Sequence, residues 1–191
     1  CAVTSAGAAA VVAHSCRSVI AAEGRRLHAG CVRASRSVCA AAALLAMLTA
    51  RHGQTVDTDL LIEDRAGKSV QDIFVDDGED AFRVLERTVV GEALGHHHGV
   101  LSLGGGAVLD PVTQASLAPH AVVFLRVGLA QAVKRVGLGV GRPLLLGNVR
   151  SRVKQILDER TPVYEGLARF VVETDERAPD AIAADVVAAI N

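Results

Sequence analysis

Two aspartates, Asp57 and Asp59, stand two residues apart where a short extended segment gives way to an apolar run. In an extended chain, side chains two residues apart point to the same side, so both carboxylates can enter one site. One carboxylate there can lie near a hydrated Mg²⁺, and the other can accept a hydrogen bond from a substrate hydroxyl. The alternative is that Asp59 only caps the helix predicted by residues 60–63.

Three consecutive glycines, Gly104, Gly105 and Gly106, follow the apolar segment Val100–Leu103. An apolar segment of this kind predicts a buried strand of a parallel sheet, and ligands bind open α/β sheets at the carboxyl ends of their strands. Without a Cβ, glycine lets a substrate lie against the peptide plane, so main-chain N–H groups can reach an anion or a hydroxyl. The alternative is a plain tight turn.

Three arginines stand where they can serve such a site. Arg83 lies near the first turn of a predicted amphipathic helix, where it can point into a cleft or into water. Arg142 lies in a glycine-rich stretch, and mobile loops over an α/β site often close on a bound nucleotide. Arg160 ends a predicted helix shortly before Pro162.

The segment Ala66-Gly67-Lys68-Ser69 contains the Gly-Lys-Ser end of a phosphate-binding loop. The full signature, G-x-x-x-x-G-K-S/T, requires a glycine five residues before the Gly-Lys pair, and Ile62 occupies that position. No apolar strand precedes the segment either. We therefore predict that it is not a phosphate-binding loop.

Strands alternate with helices along most of the chain. The predicted strands cover residues 55–59, 100–103, 121–127 and 170–174, and the predicted helices cover residues 38–50, 69–74, 76–94, 112–117, 129–136, 151–160 and 180–190. Crossovers of this length predict parallel pairing, and a parallel sheet is covered by helices on both faces. The sequence therefore predicts an α/β fold with three layers, α/β/α, around a central parallel sheet.

Composition excludes several kinds of partner. The 191 residues are 50% hydrophobic, enough for one full domain and short for two. A net charge of −1 gives no overall field for nucleic acid or an anionic membrane, and 3% aromatic residues argue against base-stacking surfaces. The longest apolar run, residues 38–48, is too short to span a bilayer. We expect a cytoplasmic monomer that binds small molecules, with no nucleic acid or membrane partner.

Residues 1–45 differ from the rest of the chain. From residue 1 to residue 56 there are six arginines, no lysine and one acidic residue, Glu23, and the first aromatic residue is Phe74. Such a stretch lacks the charged residues that cap helices and the aromatic residues that anchor a core. We treat residues 1–45 as an atypical N-terminal segment and residues 46–191 as the domain.

Taken together, residues 46–190 resemble shikimate kinase, a small member of the P-loop nucleoside monophosphate kinase group. The matching stretches are Asp57-Thr58-Asp59, Ile73-Phe74, Asp77-Gly78-Glu79, Phe82-Arg83, Leu103-Gly104-Gly105-Gly106-Ala107, Arg142-Pro143-Leu144-Leu145, Arg160-Thr161-Pro162-Val163-Tyr164 and Asp175-Glu176-Arg177-Ala178-Pro179. Their order and spacing are specific. The resemblance implies a P-loop kinase fold and phosphorylation of shikimate to 3-phosphoshikimate by ATP with Mg²⁺, in aromatic amino acid and chorismate biosynthesis.

The resemblance also implies roles for the residues of the shikimate side. Asp59 would bind the hydroxyl that is phosphorylated, and Asp57 would lie near Mg²⁺. Arg83 and Arg160 would clamp the substrate carboxylate, because a planar guanidinium binds two oxygens at once. The glycines 104–106 would lie along shikimate.

Three further residues would serve the nucleotide. Arg142 would reach the phosphates from a lid and offset charge as the γ-phosphoryl group moves. Arg177 and Pro179 fall where the family contacts adenine.

One part of the family pattern is missing. Members open with a strand and the loop G-x-x-x-x-G-K-S/T, which supplies main-chain N–H groups, a lysine and a metal ligand to the phosphates. Here that register falls at residues 34–41, which read ASRSVCAA. The loss of one charge-stabilising donor costs on the order of 10²–10³ in rate, and the loss of the whole loop should cost far more. Without that strand we also expect the sheet to lack its central strand, leaving unpaired edges in the core.

Two explanations of this departure stay open. A shifted reading frame of GC-rich DNA would give a composition like that of residues 1–45, so that a kinase body follows an artefactual head. Alternatively, the chain is a catalytically silent shikimate-binding or regulatory module of the same fold. Gluconate kinase or another small kinase of the group is a further possibility, against which stand the triple glycine and the two arginines placed for a carboxylate.

Overall fold

The computed structural model describes residues 10–14, 55–137 and 146–190. The strands are β1 (Ala10–His14), β2 (Thr55–Asp57), β3 (Val100–Leu103), β4 (Ala121–Arg126) and β5 (Phe170–Glu173). The helices are α1 (Thr58–Ala66), α2 (Val70–Asp76), α3 (Gly78–His96), α4 (Pro111–Leu117), α5 (Leu129–Gly137), α6 (Leu146–Leu167) and α7 (Pro179–Ile190), with a 3₁₀ turn at Ala107–Leu109. The helix predicted over residues 38–50 lies outside the described residues.

The described strands form one parallel sheet in the order β2-β3-β1-β4-β5. β1 lies in its centre, where Val11 pairs with Leu101 on one side and with Val122 on the other. The expectation of a sheet without a central strand is therefore wrong. Main-chain pairing to a neighbour on each side holds a strand in this place. The short segment Ala-Val-Val-Ala-His is therefore sufficient to form the strand, although the residues around it have an unusual composition.

Alternation of side chains along the inner strands produces three layers. In β4, Val122 and Phe124 pack on the face covered by α3 and α6, whereas Val123 and Leu125 pack on the face covered by α7. A strand that is covered on both faces reads as a continuous apolar run, as β3 and β4 do. The predicted three-layer α/β/α fold with a parallel sheet is confirmed.

Two of the element boundaries that differ from the prediction bear on the site. β2 ends at Asp57 and α1 begins at Thr58, so Asp59 belongs to the first turn of a helix and not to an extended strand. The two aspartates are thus not related by the two-residue period of a strand. Asp57, and not Asp59, is the capping residue: its side chain accepts the N–H of Asp59 over 3.0 Å.

Helix α6 does not end near Arg160 but continues through Pro162 to Leu167. Proline inside a helix has no N–H to donate and costs roughly 3 kcal/mol. The helix nevertheless buries Val153, Ile156 and Tyr164, and we infer that this packing outweighs the cost. As a result, Arg160 and Tyr164 lie one turn apart on the same face of α6.

None of the helices within residues 55–137 and 146–190 has both the length and the apolar character needed to cross a bilayer.

Candidate active site

The glycine turn follows directly on β3. Gly104, Gly105 and Gly106 are all buried. The carbonyl of Gly104 accepts the N–H of Ala107 over 3.1 Å, and the carbonyl of Gly106 accepts the N–H of Leu109 over 3.0 Å. These two bonds form the turn and leave the carbonyl of Gly105 for a partner outside it.

Helix α1 brings the Asp59 carboxylate to Gly104. The hydroxyl of Thr58, which is fully buried, donates to the carbonyl of Ser102 over 3.2 Å and ties the start of α1 to β3. Oδ1 of Asp59 then lies 2.9 Å from the point where a Cβ on Gly104 would stand. Only glycine fits this position while the carboxylate stays in place.

Helix α3 brings the Arg83 guanidinium to Gly106 in the same way. Its Cζ lies 2.9 Å, and its Nη2 2.8 Å, from the point where a Cβ on Gly106 would stand. The backbone of Gly106 has φ −89°, a value that any residue adopts. Gly106 is therefore required for the close approach of Arg83 and not for its own conformation.

Glu86 is a member of the site that the sequence analysis missed. Its side chain is 6% exposed, its Oε2 accepts a hydrogen bond from Nη1 of Arg83 over 2.6 Å, and its Oε1 lies 3.5 Å from the ideal Cβ position of Gly104. The available signal was a carboxylate three residues after Arg83 on the apolar side of an amphipathic helix, where an unpaired charge is costly.

Burial raises the pKa of the Glu86 carboxyl, and the negative charge of Asp59 acts in the same direction. The positive charges of Arg83 and Arg160 oppose this rise without cancelling it. A buried carboxylate that is held by one arginine and faces a second carboxylate is ionised at an energetic cost. The site therefore balances two acidic groups against two arginines.

Helix α6 contacts the middle glycine of the turn. The hydroxyl of Tyr164 donates to the carbonyl of Gly105 over 2.5 Å, and Nη1 of Arg160 lies 3.5 Å from the same oxygen. Tyr164 stacks on Phe124 of β4, with ring centroids 4.8 Å apart and planes at 18°. Tyr164 lies in one of the stretches that match the family, but the sequence does not predict it as a site residue.

The structure thus brings together the predicted residues of the shikimate side. Asp59, Arg83 and Arg160 come from three different helices and reach the successive glycines 104–106. Two guanidinium groups beside main-chain amides can bind a carboxylate, and a carboxylate beside them can accept a hydrogen bond from a hydroxyl. This arrangement suits a small hydroxylated acid.

The predicted adenine contacts lie elsewhere. Pro179 is the first residue of α7, and Arg177 precedes it, with its guanidinium donating to the carbonyl of Glu173 over 3.1 Å and paired with Asp185 over 2.8 Å. In the sheet, β1 and β4 separate β5 from β3, so these residues stand apart from the glycine turn. Arg142 lies outside the described residues, and the nucleotide roles of all three stay predictions.

The Gly-Lys-Ser segment is a turn between two helices. Gly67 ends α1 in the left-handed conformation, with φ +66°, and its N–H donates to the carbonyl of Glu63. Ser69 caps α2, and Nζ of Lys68 pairs with Asp77 over 2.6 Å. This geometry agrees with the prediction that the segment is not a phosphate-binding loop.

Comparison with known proteins finds the same family over most of the chain. The family model for shikimate kinase matches residues 44–191. Shikimate kinase of Thermobifida fusca is 59% identical over 125 residues, which are 65% of this chain and 73% of that protein. Shikimate kinase of Salinispora arenicola is 52% identical over 132 residues, 69% of this chain and 79% of that protein.

Solved structures show the same fold. Shikimate kinase from Acinetobacter baumannii, in complex with shikimate, superimposes with a TM-score of 0.70 at 24% identity, covering 94% of this chain and 91% of that one. Shikimate kinase from Bacteroides thetaiotaomicron gives a TM-score of 0.69 at 21% identity over 93% and 96% of the two chains. The predicted P-loop kinase type of fold is confirmed.

Replacement of Glu86 by glutamine should change how stability depends on pH. Because the pKa of Glu86 is higher in the folded than in the unfolded chain, its contribution to stability falls as pH rises through the window between those values. Glutamine does not titrate, so the free energy of unfolding of Glu86→Gln minus that of the unsubstituted chain should increase with pH there. Urea unfolding at a series of pH values, from about 3 to 8, measures this difference.

Glu92→Gln, on the same helix, is the matched control. The hydrogen bond from Arg65 lowers the pKa of Glu92 below its value in the unfolded chain. The free energy of unfolding of Glu92→Gln minus that of the unsubstituted chain should therefore decrease as pH rises through the window between those two pKa values. The same sign of slope for both variants would contradict the assignment for Glu86.

Proposed function

The chain belongs to the shikimate kinase family, and we propose that it transfers the γ-phosphoryl group of ATP to a ring hydroxyl of shikimate. The product is 3-phosphoshikimate, on the route to chorismate and the aromatic amino acids. Besides the family match, one observation carries the proposal. Asp59, Arg83 and Arg160 converge on the glycine turn after β3, where their charges suit a small hydroxylated carboxylate.

In this proposal the two arginines hold the shikimate carboxylate. Each guanidinium can offer two parallel N–H donors, and Glu86 keeps that of Arg83 oriented by accepting one of its hydrogens. Arg160 reaches the turn from α6, with its Nη1 3.5 Å from the carbonyl oxygen of Gly105. A carboxylate bound between them would meet two guanidinium groups at once.

Asp59 would receive the hydroxyl that is phosphorylated. Its Oδ1 faces Gly104, so a ring hydroxyl lying against this glycine is within reach of a carboxylate oxygen. By accepting that hydrogen bond, Asp59 would orient the hydroxyl oxygen for attack and take up its proton as the bond to phosphorus forms. Glu86 and Gly104–Gly106 would line the site along the hydroxylated ring.

ATP is the co-substrate of this family, and Mg²⁺ would accompany it. Magnesium takes oxygen ligands and is usually held by one or two carboxylates together with substrate phosphates. Asp57, at the carboxyl end of β2, supplies such a carboxylate and fits this role. Arg142 would reach the phosphates from the lid, and Arg177 and Pro179 would contact adenine at the far side of the sheet.

The phosphate end of the nucleotide site decides between two functions. The family match begins at residue 44, so residues 34–41 lie outside it, and they contain no lysine and no glycine. That observation favours, as the second candidate, a silent module that binds shikimate without phosphorylating it. If the chain is a kinase, we expect slow turnover, because several charge-stabilising donors are missing at once.

We further propose that the chain is a cytoplasmic monomer.

Calorimetric titration of the chain with shikimate, followed by MgATP on the same sample, tests the proposal. Binding of both ligands, with product formed in a coupled assay, supports the kinase. Binding of shikimate without MgATP supports the silent module. A chain that binds neither ligand contradicts both readings of the site.

Arg83→Ala should weaken shikimate binding by roughly 1.5–3 kcal/mol, the scale of a hydrogen bond to a charged group. Titration calorimetry in the absence of nucleotide measures the change. Arg87→Ala is the matched control: Arg87 lies one turn further along α3 and pairs with Asp110, away from the glycine turn. Equal shikimate affinity of Arg83→Ala and the unsubstituted chain would remove Arg83 from the site.

Gly106→Ala should weaken shikimate binding with little loss of stability. The new methyl group would displace the flexible end of Arg83 and leave the backbone unstrained, so we expect about 10- to 100-fold lower affinity and a nearly unchanged melting temperature. In Gly95→Ala, on α3, the added methyl has nothing within 4 Å. That control should bind shikimate normally and gain about 0.5–1 kcal/mol of stability. Normal shikimate binding by Gly106→Ala would refute the proposed position of Arg83.

A further inference from the structure

The carbonyl of Gly105 is held from outside the turn by a rigid side chain. Tyr164 is 2% exposed, and its hydroxyl donates to this oxygen over 2.5 Å. The Tyr164 ring stacks on Phe124, and this packing holds the hydroxyl in one position. Burial raises the pKa of the Tyr164 hydroxyl, which therefore keeps its proton and stays a donor in neutral solution.

The direction of this carbonyl determines where the next N–H points. The described residues contain no cis peptide bond, so the carbonyl of Gly105 and the N–H of Gly106 point in opposite directions across one planar group. With the carbonyl drawn towards α6, the N–H of Gly106 is directed away from α6. Gly106 is buried, and among the hydrogen bonds of the described residues none uses its N–H as donor.

A buried N–H of this kind needs an acceptor. The guanidinium of Arg83 is the cation beside it, with Cζ 2.9 Å from the ideal Cβ position of the same glycine. An oxygen that approaches this N–H therefore meets a positive charge at the same time. The chemistry of the place favours a carboxylate oxygen over a neutral hydroxyl.

We propose that Tyr164 is a positioning residue: its hydroxyl orients the Gly105–Gly106 peptide so that the N–H of Gly106 donates to the substrate carboxylate. The inference rests on the proposed function, since it takes shikimate as the ligand. Arg160 lies further from the same oxygen, with its Nη1 3.5 Å away, and the proposed function assigns its guanidinium to the carboxylate. Tyr164 is the closer donor, over 2.5 Å.

Tyr164→Phe tests the inference, because it removes the hydroxyl and keeps the ring. We expect a shikimate dissociation constant about tenfold higher than that of the unsubstituted chain, measured by calorimetry without nucleotide. Thr174→Val is the matched control. It removes a buried hydroxyl that donates to the carbonyl of Arg126 over 2.8 Å, outside the shikimate site, and should leave shikimate affinity unchanged.

A second ligand separates positioning from a general loss of structure. In the analogue whose carboxylate is replaced by a hydroxymethyl group, the N–H of Gly106 has no anion to meet. Tyr164→Phe and the unsubstituted chain should bind this analogue with affinities within about twofold of each other. In the unsubstituted chain, the amide signal of Gly106 should also move downfield in nitrogen-15 correlation spectra when shikimate is added.

Three results would overturn the inference: unchanged shikimate affinity in Tyr164→Phe, equal weakening for both ligands, or a Gly106 amide signal that does not respond to shikimate. The last measurement needs no variant, so a Gly106 amide that does not respond to shikimate overturns the inference even if Tyr164→Phe fails to fold. Failure of the unsubstituted chain to bind shikimate would remove the proposed function, and this inference with it.

Discussion

The absence of a Cβ at Gly104 and Gly106 is the constraint on which the site depends. The Asp59 carboxylate and the Arg83 guanidinium each occupy the volume that a side chain at these positions would need. Two functional groups of opposite charge can therefore touch the main chain of one turn, within a few ångströms of its amides. A larger residue at either position would push the charged group away from the surface on which a ligand lies.

Charge balance accounts for the rest of the site. Burying Arg83 beside a turn requires a nearby anion, and Glu86 provides it at the cost of a carboxyl whose pKa is raised. Asp59 adds a second negative group and Arg160 a second positive one. The resulting cluster is close to neutral yet contains donors and acceptors in fixed directions, which is the property that a hydroxylated carboxylate requires of its binding site.

The sheet connects this site to the opposite half of the molecule. β3 carries the glycine turn, and β1 and β4 separate it from β5, whose carboxyl end leads to the segment with Arg177 and Pro179. Helix α6 follows the glycine-rich stretch in the sequence and places Arg160 and Tyr164 beside the turn. One continuous helix thus links the predicted lid to the shikimate side.

The sequence by itself determined the fold class and most element positions, because apolar runs and glycines at fixed spacings report directly on local structure. Through the family resemblance it also indicated three of the residues that reach the glycine turn, Asp59, Arg83 and Arg160. Tertiary structure alone decided three points. The central place of Ala10–His14 depends on pairing with two distant strands, the passage of α6 through Pro162 depends on packing, and the parts played by Glu86 and Tyr164 depend on the approach of α3 and α6 to the turn after β3. Such contacts join residues that are far apart in the chain, and no local pattern encodes them.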